Sequence, residues 1–207
     1  MTALVLLDYA SVLIFALTGA LVASRAQLDM VGFAFVACLT AVGGGTVRDV
    51  LLDRNPVFWV GNPNYILIAV VAALVVFFSA HLVESRYRWL LWLDSFALAV
   101  AVPAGVGVAI QMLQPGLIIV LMGVVTGCMG GLLRDVVCNE VPLVLKQGEL
   151  YVSAALGGAL VAVGLLQVTH LVMPVLLACA LTTWALRAGS ILFGWRLPVY
   201  HSRPPRQ

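Results

Sequence analysis

Charge is what this sequence has least of. Lys, Arg, Asp and Glu make up 10% of its 207 residues, where a soluble globular domain carries about 25%. Hydrophobic residues reach 63% and mean hydropathy is +1.10, so the composition is that of an integral membrane protein. A net charge of +2 is too small to form a nucleic-acid-binding surface. Cysteine is scarce too. Cys38, Cys128, Cys138 and Cys179 lie in or at the ends of apolar stretches with no Cys-x-x-Cys pair, and read as small buried apolar residues. His81, His170 and His201 fall at segment ends or in the tail, without ligand-like spacing. No nucleophile–base set, nucleotide loop or metal cluster is visible, which excludes an enzyme reading and calls for no cofactor. The first residues lack a basic stretch and Asp8 interrupts the first apolar run, which argues against a cleavable signal peptide.

What is present is apolar sequence in seven runs, at roughly 4–23, 31–52, 64–82, 89–110, 116–138, 150–168 and 171–193. Each is near the ~20 residues a helix needs to cross ~30 Å of hydrocarbon. Pro63, Pro115 and Pro174 stand near helix starts, and Pro103 predicts a kink in the fourth run. The expected fold is all-α and polytopic, with seven transmembrane helices. The loops after helices one, three and five, with the tail, carry Arg25, Arg86, Arg88, Lys146, Arg196, Arg203 and Arg206, whereas the opposite side carries only Arg54. That bias places the N-terminus outside and the C-terminus in the cytoplasm of a cell inner membrane.

One motif occurs twice. Gly43-Gly44-Gly45-Thr46-Val47-Arg48-Asp49-Val50 is followed 86 positions later by Met129-Gly130-Gly131-Leu132-Leu133-Arg134-Asp135-Val136. The same offset relates Asp8 to Asp94, Gly19 to Gly105, Thr40 to Thr126, Pro56 to Pro142 and Tyr65 to Tyr151. The chain therefore divides into a membrane domain, 1–193, and a cytoplasmic tail, 194–207. Repeat one spans 4–83, repeat two spans 90–169, and a seventh helix covers 171–193. Three crossings per repeat is an odd number, so the second repeat is expected upside down relative to the first. Inverted repeats commonly hold the permeation or substrate site near the midplane, at interrupted helices.

The glycine runs predict such interruptions, since each Gly costs roughly 1 kcal/mol of helix propensity relative to Ala. Freed carbonyls at Gly43, Gly44, Gly45, Gly130 and Gly131 would offer oxygens to a transient K⁺ or Na⁺. The competing account is that small residues let two helices cross closely. Arg48-Asp49 and Arg134-Asp135 are charges inside apolar runs, which face the bundle or water and find partners. Sequence neighbours on a helix point about 100° apart. Arg48 is therefore expected to meet Asp94 or Asp135, and Arg134 to meet Asp8 or Asp49. A structural salt-bridge cluster and a pore role are both open for them. Asp8, Ser11 and Thr18 fall roughly on one face of the first helix, suggesting either water contact or hydroxyls bonded to their own helix. Ala154, Gly158 and Ala162 form a ridge of small residues suited to helix packing within or between subunits.

These features together resemble the prokaryotic branch of the trimeric intracellular cation (TRIC) channel family, whose bacterial members are also described as glycine transporters. The resemblance covers residues 4–193 and rests on the doubled Gly-Gly-x-x-Arg-Asp motif. It implies a homotrimer in membrane lipid, each subunit with its own pore lined by kinked helices two and five, passing K⁺. Asp8, Asp49, Asp94 and Asp135 then bias the pore toward cations, and Arg48 and Arg134 hold the charge cluster. The animal members' Lys-Glu-Val lipid motif is absent at this place, where Gly-Gly-Leu-Leu stands. A facilitator for glycine or another small zwitterion is the alternative, with Arg on the carboxylate and Asp on the ammonium; a non-conducting scaffold is the third reading. Because Met129 replaces a third glycine, substituting Gly44 or Gly45 with Ala should alter single-channel conductance more than substituting Gly130 or Gly131. Equal effects count against that ranking.

Overall fold

The computed structural model describes residues 3–82, 86–169 and 171–198; His170, His201, Arg203 and Arg206 lie outside them. It contains α1 (Ala3–Arg25), α2 (Met30–Leu51), α3 (Phe58–Gly61), α4 (Asn64–Ser79), α5 (Arg86–Gln111), α6 (Gly116–Val137), α7 (Val152–Leu166) and α8 (Val172–Phe193). Six of these helices are long and apolar enough to cross a membrane. The sixth run yields α7, a 15-residue apolar helix, only about 22 Å long. It starts later than the expected 150 because Leu150 N bonds to Ser190 Oγ on α8, and it ends before 168 in a turn where Val168 N and Thr169 N both donate to Leu165 O.

Local sequence sets the helix ends. Asp29 caps α2 by accepting the Gly32 amide at 2.7 Å. Both α2 and α6 close with the same pair of backbone bonds. Asp53 N and Arg54 N donate to Val50 O and Asp49 O, as Asn139 N and Glu140 N donate to Val136 O and Asp135 O. Asp53 (φ 52°) and Asn139 (φ 54°) supply the left-handed residue this ending requires, and both residue types tolerate it.

The packing follows the same pairing. α1 packs on α2 and α4 as α5 packs on α6 and α7; α2 meets α4 as α6 meets α7. The halves join through α1 against α5 and α2 against α6, while α8 leans on α5 and α7. The Ala154–Gly158–Ala162 ridge is internal packing. A Cβ on Gly158 would stand 2.8 Å from Cys179 O on α8. Polarity is reversed relative to a soluble protein. Leu6, Leu67, Phe78, Leu117 and Leu181 are exposed, whereas Asp8, Arg48, Asp94 and Arg134 are buried. Lipid is the solvent that stabilises such an arrangement. Arg25 reaches Glu140 at 3.2 Å and lies over Tyr87, which also meets Lys146. The segments after α1 and α6 and the first turn of α5 therefore gather at one end of the bundle.

The glycine runs do not interrupt their helices. α2 is α-helical through residues 43–45 and α6 through 129–131, which corrects the expectation of freed carbonyls there. Gly44 and Gly130 serve the crossing of α2 on α6 instead, while Gly45 faces Phe58 and Gly131 faces Tyr151. A Cβ on Gly44 would stand 2.3 Å from Thr126 O, and one on Gly130 would stand 2.4 Å from Thr40 O. Those two contacts are equivalent at offset 86, so the inequality expected from Met129 is not built into this pair. The helices approach until one backbone fills the space a side chain would need. α5 likewise runs as helix through Pro103.

Replacing Gly44 or Gly130 with Ala should therefore destabilise the fold to a similar extent, by about 1–3 kcal/mol each. Gly164, where an added Cβ would meet nothing within 4 Å, is the control; Gly164→Ala should be neutral or gain up to ~1 kcal/mol. Thermal unfolding in detergent, followed by tryptophan fluorescence, compares the three.

Candidate functional site

Two clusters of buried charge sit on either side of the α2–α6 crossing. In the first, Arg48 Nε donates to Asp49 Oδ1 at 2.8 Å and Nη1 donates to Asp8 Oδ1 at 3.2 Å. In the second, Arg134 Nε donates to Asp135 Oδ1 at 2.8 Å and Nη1 donates to Asp94 Oδ1 at 2.9 Å. Both guanidinium groups are fully buried. The expectation that each Arg reaches an acid of the other repeat is corrected: both pairings stay within the repeat. The long Arg side chain turns along its own helix, so Nε meets the neighbouring carboxylate despite the ~100° between their Cα–Cβ directions, and Nη1 still reaches the next helix.

The remaining carboxylate oxygens of the neighbours are used as well. Asp49 Oδ2 accepts Phe58 N at 2.9 Å and Asp135 Oδ2 accepts Leu143 N at 2.9 Å. Each cluster thus fixes three things: the first helix of its repeat, the second helix, and the loop that follows. The clusters differ in their wet surroundings. Arg54 approaches Asp49 at 3.5 Å with its side chain 40% exposed, whereas Glu140, at the equivalent position, pairs with Arg25.

Ser11 and Thr18 are buried and donate to Asp8 O and Phe15 O of their own helix, at 2.9 and 2.8 Å. They form no open polar stripe. Thr40 and Thr126 do the same toward Val36 O and Met122 O, both at 2.6 Å. A narrow cavity bounded by Asp8, Ser11, Gly44, Gly45 and Thr126 lies beside the crossing, with room for the centre of a water-sized sphere over about 10 Å³. That is space for one water at most. The structure therefore brings Asp8, Ser11, Gly44 and Gly45 together in repeat one. Asp94, Arg134 and Gly131 meet in repeat two around the Tyr151 hydroxyl. Thr18 stands apart.

A third buried arginine escaped the motif. Arg187 on α8 has its Nη1 3.0 Å from Glu149 Oε2 and its guanidinium 5.2 Å from the Tyr151 ring centre. Its signal in the sequence was the one that marks Arg48 and Arg134: a lone cation inside an apolar run.

This architecture is that of a multi-pass membrane protein with a doubled ionic site, and the comparisons with known proteins narrow it. The glycine transporter family model matches twice, at residues 5–81 and 91–167, the same 86 positions apart. The chain belongs to that family, which is one of membrane transport proteins and not of enzymes. It is 34% identical over 198 residues to a UPF0126 membrane protein of Vibrio cholerae, covering 95% of this chain and 82% of that one. It is 38% identical over 156 residues to the UPF0126 inner membrane protein YadS of Escherichia coli, covering 75% of each. Its fold is similar to the TRIC trimeric intracellular cation channel orthologue from Rhodobacter sphaeroides. That match has TM-score 0.90 and 41% identity, over 94% of this chain and 100% of that one. A second structure, described in terms of conductance through TRIC cation channels, matches with TM-score 0.87 and 26% identity over 98% of this chain and 100% of that one.

Replacing Arg48 or Arg134 with Met leaves two buried carboxylates without their cation, a change that costs about 3–5 kcal/mol. Replacing Arg54 with Ala removes a solvent-screened contact and should cost ~1 kcal/mol or less. Denaturation midpoints in detergent should separate the two classes clearly.

Proposed function

We propose that this protein is a monovalent cation channel, chiefly for K⁺, assembled as a homotrimer in the inner membrane with a pathway through each subunit between α2 and α6. The N-terminus is outside and the C-terminus cytoplasmic, in keeping with the basic loops. The observation that carries the reading is the pair of equivalent clusters, each with one guanidinium and two carboxylates, flanking a glycine-lined crossing. The solved relatives described as cation channels support it.

Each cluster carries a net charge of −1 when all three groups are ionised, which attracts a cation. The guanidinium keeps that attraction weak enough to release it. Asp49 and Asp135 are tied into loops, and Asp8 and Asp94 come from the first helix of each repeat. A permeating ion thus meets carboxylates from two helices at each cluster. The cavity beside Gly44 is too small for a hydrated K⁺, so conduction requires α2 and α6 to separate at Gly44 and Gly130.

A second reading, a facilitator for glycine or another small zwitterion, is favoured by the family's description and by the placing of guanidinium beside carboxylate in each cluster. Proteoliposomes separate the two. K⁺ flux through the wild type should fall several-fold in the Asp49→Asn, Asp135→Asn double variant, because two of the four acidic charges are gone. Unchanged flux in that variant would sink the electrostatic role. Saturable uptake of radiolabelled glycine without single-channel current would replace the channel by the facilitator.

A further inference from the structure

Arg187 is the one fully buried arginine among the described residues that lies outside both repeats. Repeat one explains its place. There the Tyr65 ring is stacked by Tyr9, with centroids 4.2 Å apart. The equivalent positions in repeat two are Tyr151 and Ser95, and a serine cannot cover a ring. The Arg187 guanidinium lies over Tyr151 instead, within cation–π range. The other end of Tyr151 reaches the second ionic cluster. A Cβ on Gly131 would stand 3.1 Å from the Tyr151 hydroxyl, 3.5 Å from Arg134 Nη2 and 3.7 Å from Asp94 Oδ1. One aromatic side chain therefore separates Arg187 from the Asp94–Arg134–Asp135 trio.

Arg187 is also the least compensated of the three buried arginines. Arg48 and Arg134 each hold two carboxylates. Arg187 holds Glu149 alone, and its Nε and Nη2 have no hydrogen-bond partner among the described residues. The pair is uneven in solvation: the Arg187 side chain is 1% exposed and the Glu149 side chain 30%. Water screens the negative partner more than the positive one, so the pair presents a net positive field inward. Glu149 is set in place by the segment that follows α8. Leu197 N donates to Gly148 O at 2.9 Å, and Glu149 bridges Arg196. Ser190 Oγ accepts Leu150 N and donates to Trp195 O.

We infer that Arg187 is a barrier residue for the cation pathway proposed above. Its under-compensated guanidinium raises the energy of a monovalent cation at the Asp94–Arg134–Asp135 cluster, and Glu149, clasped by the segment after α8, partly offsets it. Arg187 acts across Tyr151 and need not touch the ion. The inference rests on the conduction reading.

The test is unitary K⁺ conductance of the full chain in planar bilayers. Arg187→Gln should raise conductance about twofold or more, and Glu149→Gln should lower it by a similar factor, while Arg187→Lys keeps the wild-type value. The Glu149→Gln effect should shrink at high ionic strength, since Glu149 is the screened partner. A purely structural pair predicts the same direction of change in both neutral variants and no salt dependence. If the wild type conducts and the two neutral variants are both unchanged or both lowered, this inference falls and the channel stands. A wild type without K⁺ current overturns the channel and the inference together. Should Arg187→Gln fail to assemble, Glu149→Gln decides alone: its side chain is partly exposed, and an unchanged or raised conductance overturns the proposal.

Discussion

A guanidinium taken out of water has to bring its counter-charges with it, and most of this fold follows from meeting that requirement twice. Arg48 and Arg134 sit where no water reaches them, so each needs carboxylates at bonding distance. The sequence neighbour supplies one carboxylate at 2.8 Å in each case. The other must come from a different helix, and that fixes the register of α1 on α2 and of α5 on α6. The spare oxygens of Asp49 and Asp135 then draw in the backbone at Phe58 and Leu143, which sets the course of both following loops. A hydrophobic bundle has little of its own to specify register, because lipid tails solvate apolar helices as well as other helices do. The buried ions supply that specificity.

The second constraint is steric and acts on the backbone. Gly44 against Thr126 O and Gly130 against Thr40 O bring α2 and α6 together until a methyl group has no room. The threonines are suited to this position because their hydroxyls bond to their own helix. They present a carbonyl to the partner glycine without leaving a polar atom unmatched in lipid. The same two threonines also pack against Gly19 and Gly105 on α1 and α5. Four helices therefore meet at two threonines, each between two glycines.

Much of this could be read before the structure was seen. The membrane class, six of the seven expected spans, the doubled motif and the buried status of Arg48, Asp49, Arg134 and Asp135 all follow from apolar runs and from charges placed inside them. Three things could not be read. Helix propensity marks Gly43–Gly45 as a weak place, but propensity cannot tell a break from a crossing, because both call for the same residue. Ideal helix angles exclude a bond between Arg48 and Asp49, yet an Arg side chain has enough torsions to curl back onto the next residue. Arg187 shows in the sequence as a cation inside an apolar run, but it has no counterpart at the offset, and its contact with Tyr151 depends on Ser95 leaving that ring uncovered, which emerges only when α5, α7 and α8 are assembled.

The halves differ on the wet side of one ionic site and on the dry side of the other. The Arg–Asp–Asp trio is the same in both, with bond lengths agreeing to a few tenths of an ångström. At the position five residues beyond each second Asp, Arg54 leans toward Asp49, whereas Glu140 turns away to Arg25. The first trio therefore has an added cation on its wet side, and the second has Arg187 on its dry side. These are opposite solutions with different consequences. Arg54 is screened by salt, so its influence depends on the medium, while the field of a buried guanidinium is nearly independent of it. On the proposed reading, a cation entering past Arg54 meets a barrier set by the solution, and one entering past Arg187 meets a barrier set by the protein. A pathway built from two nearly identical sites would thereby distinguish its two ends without altering either site.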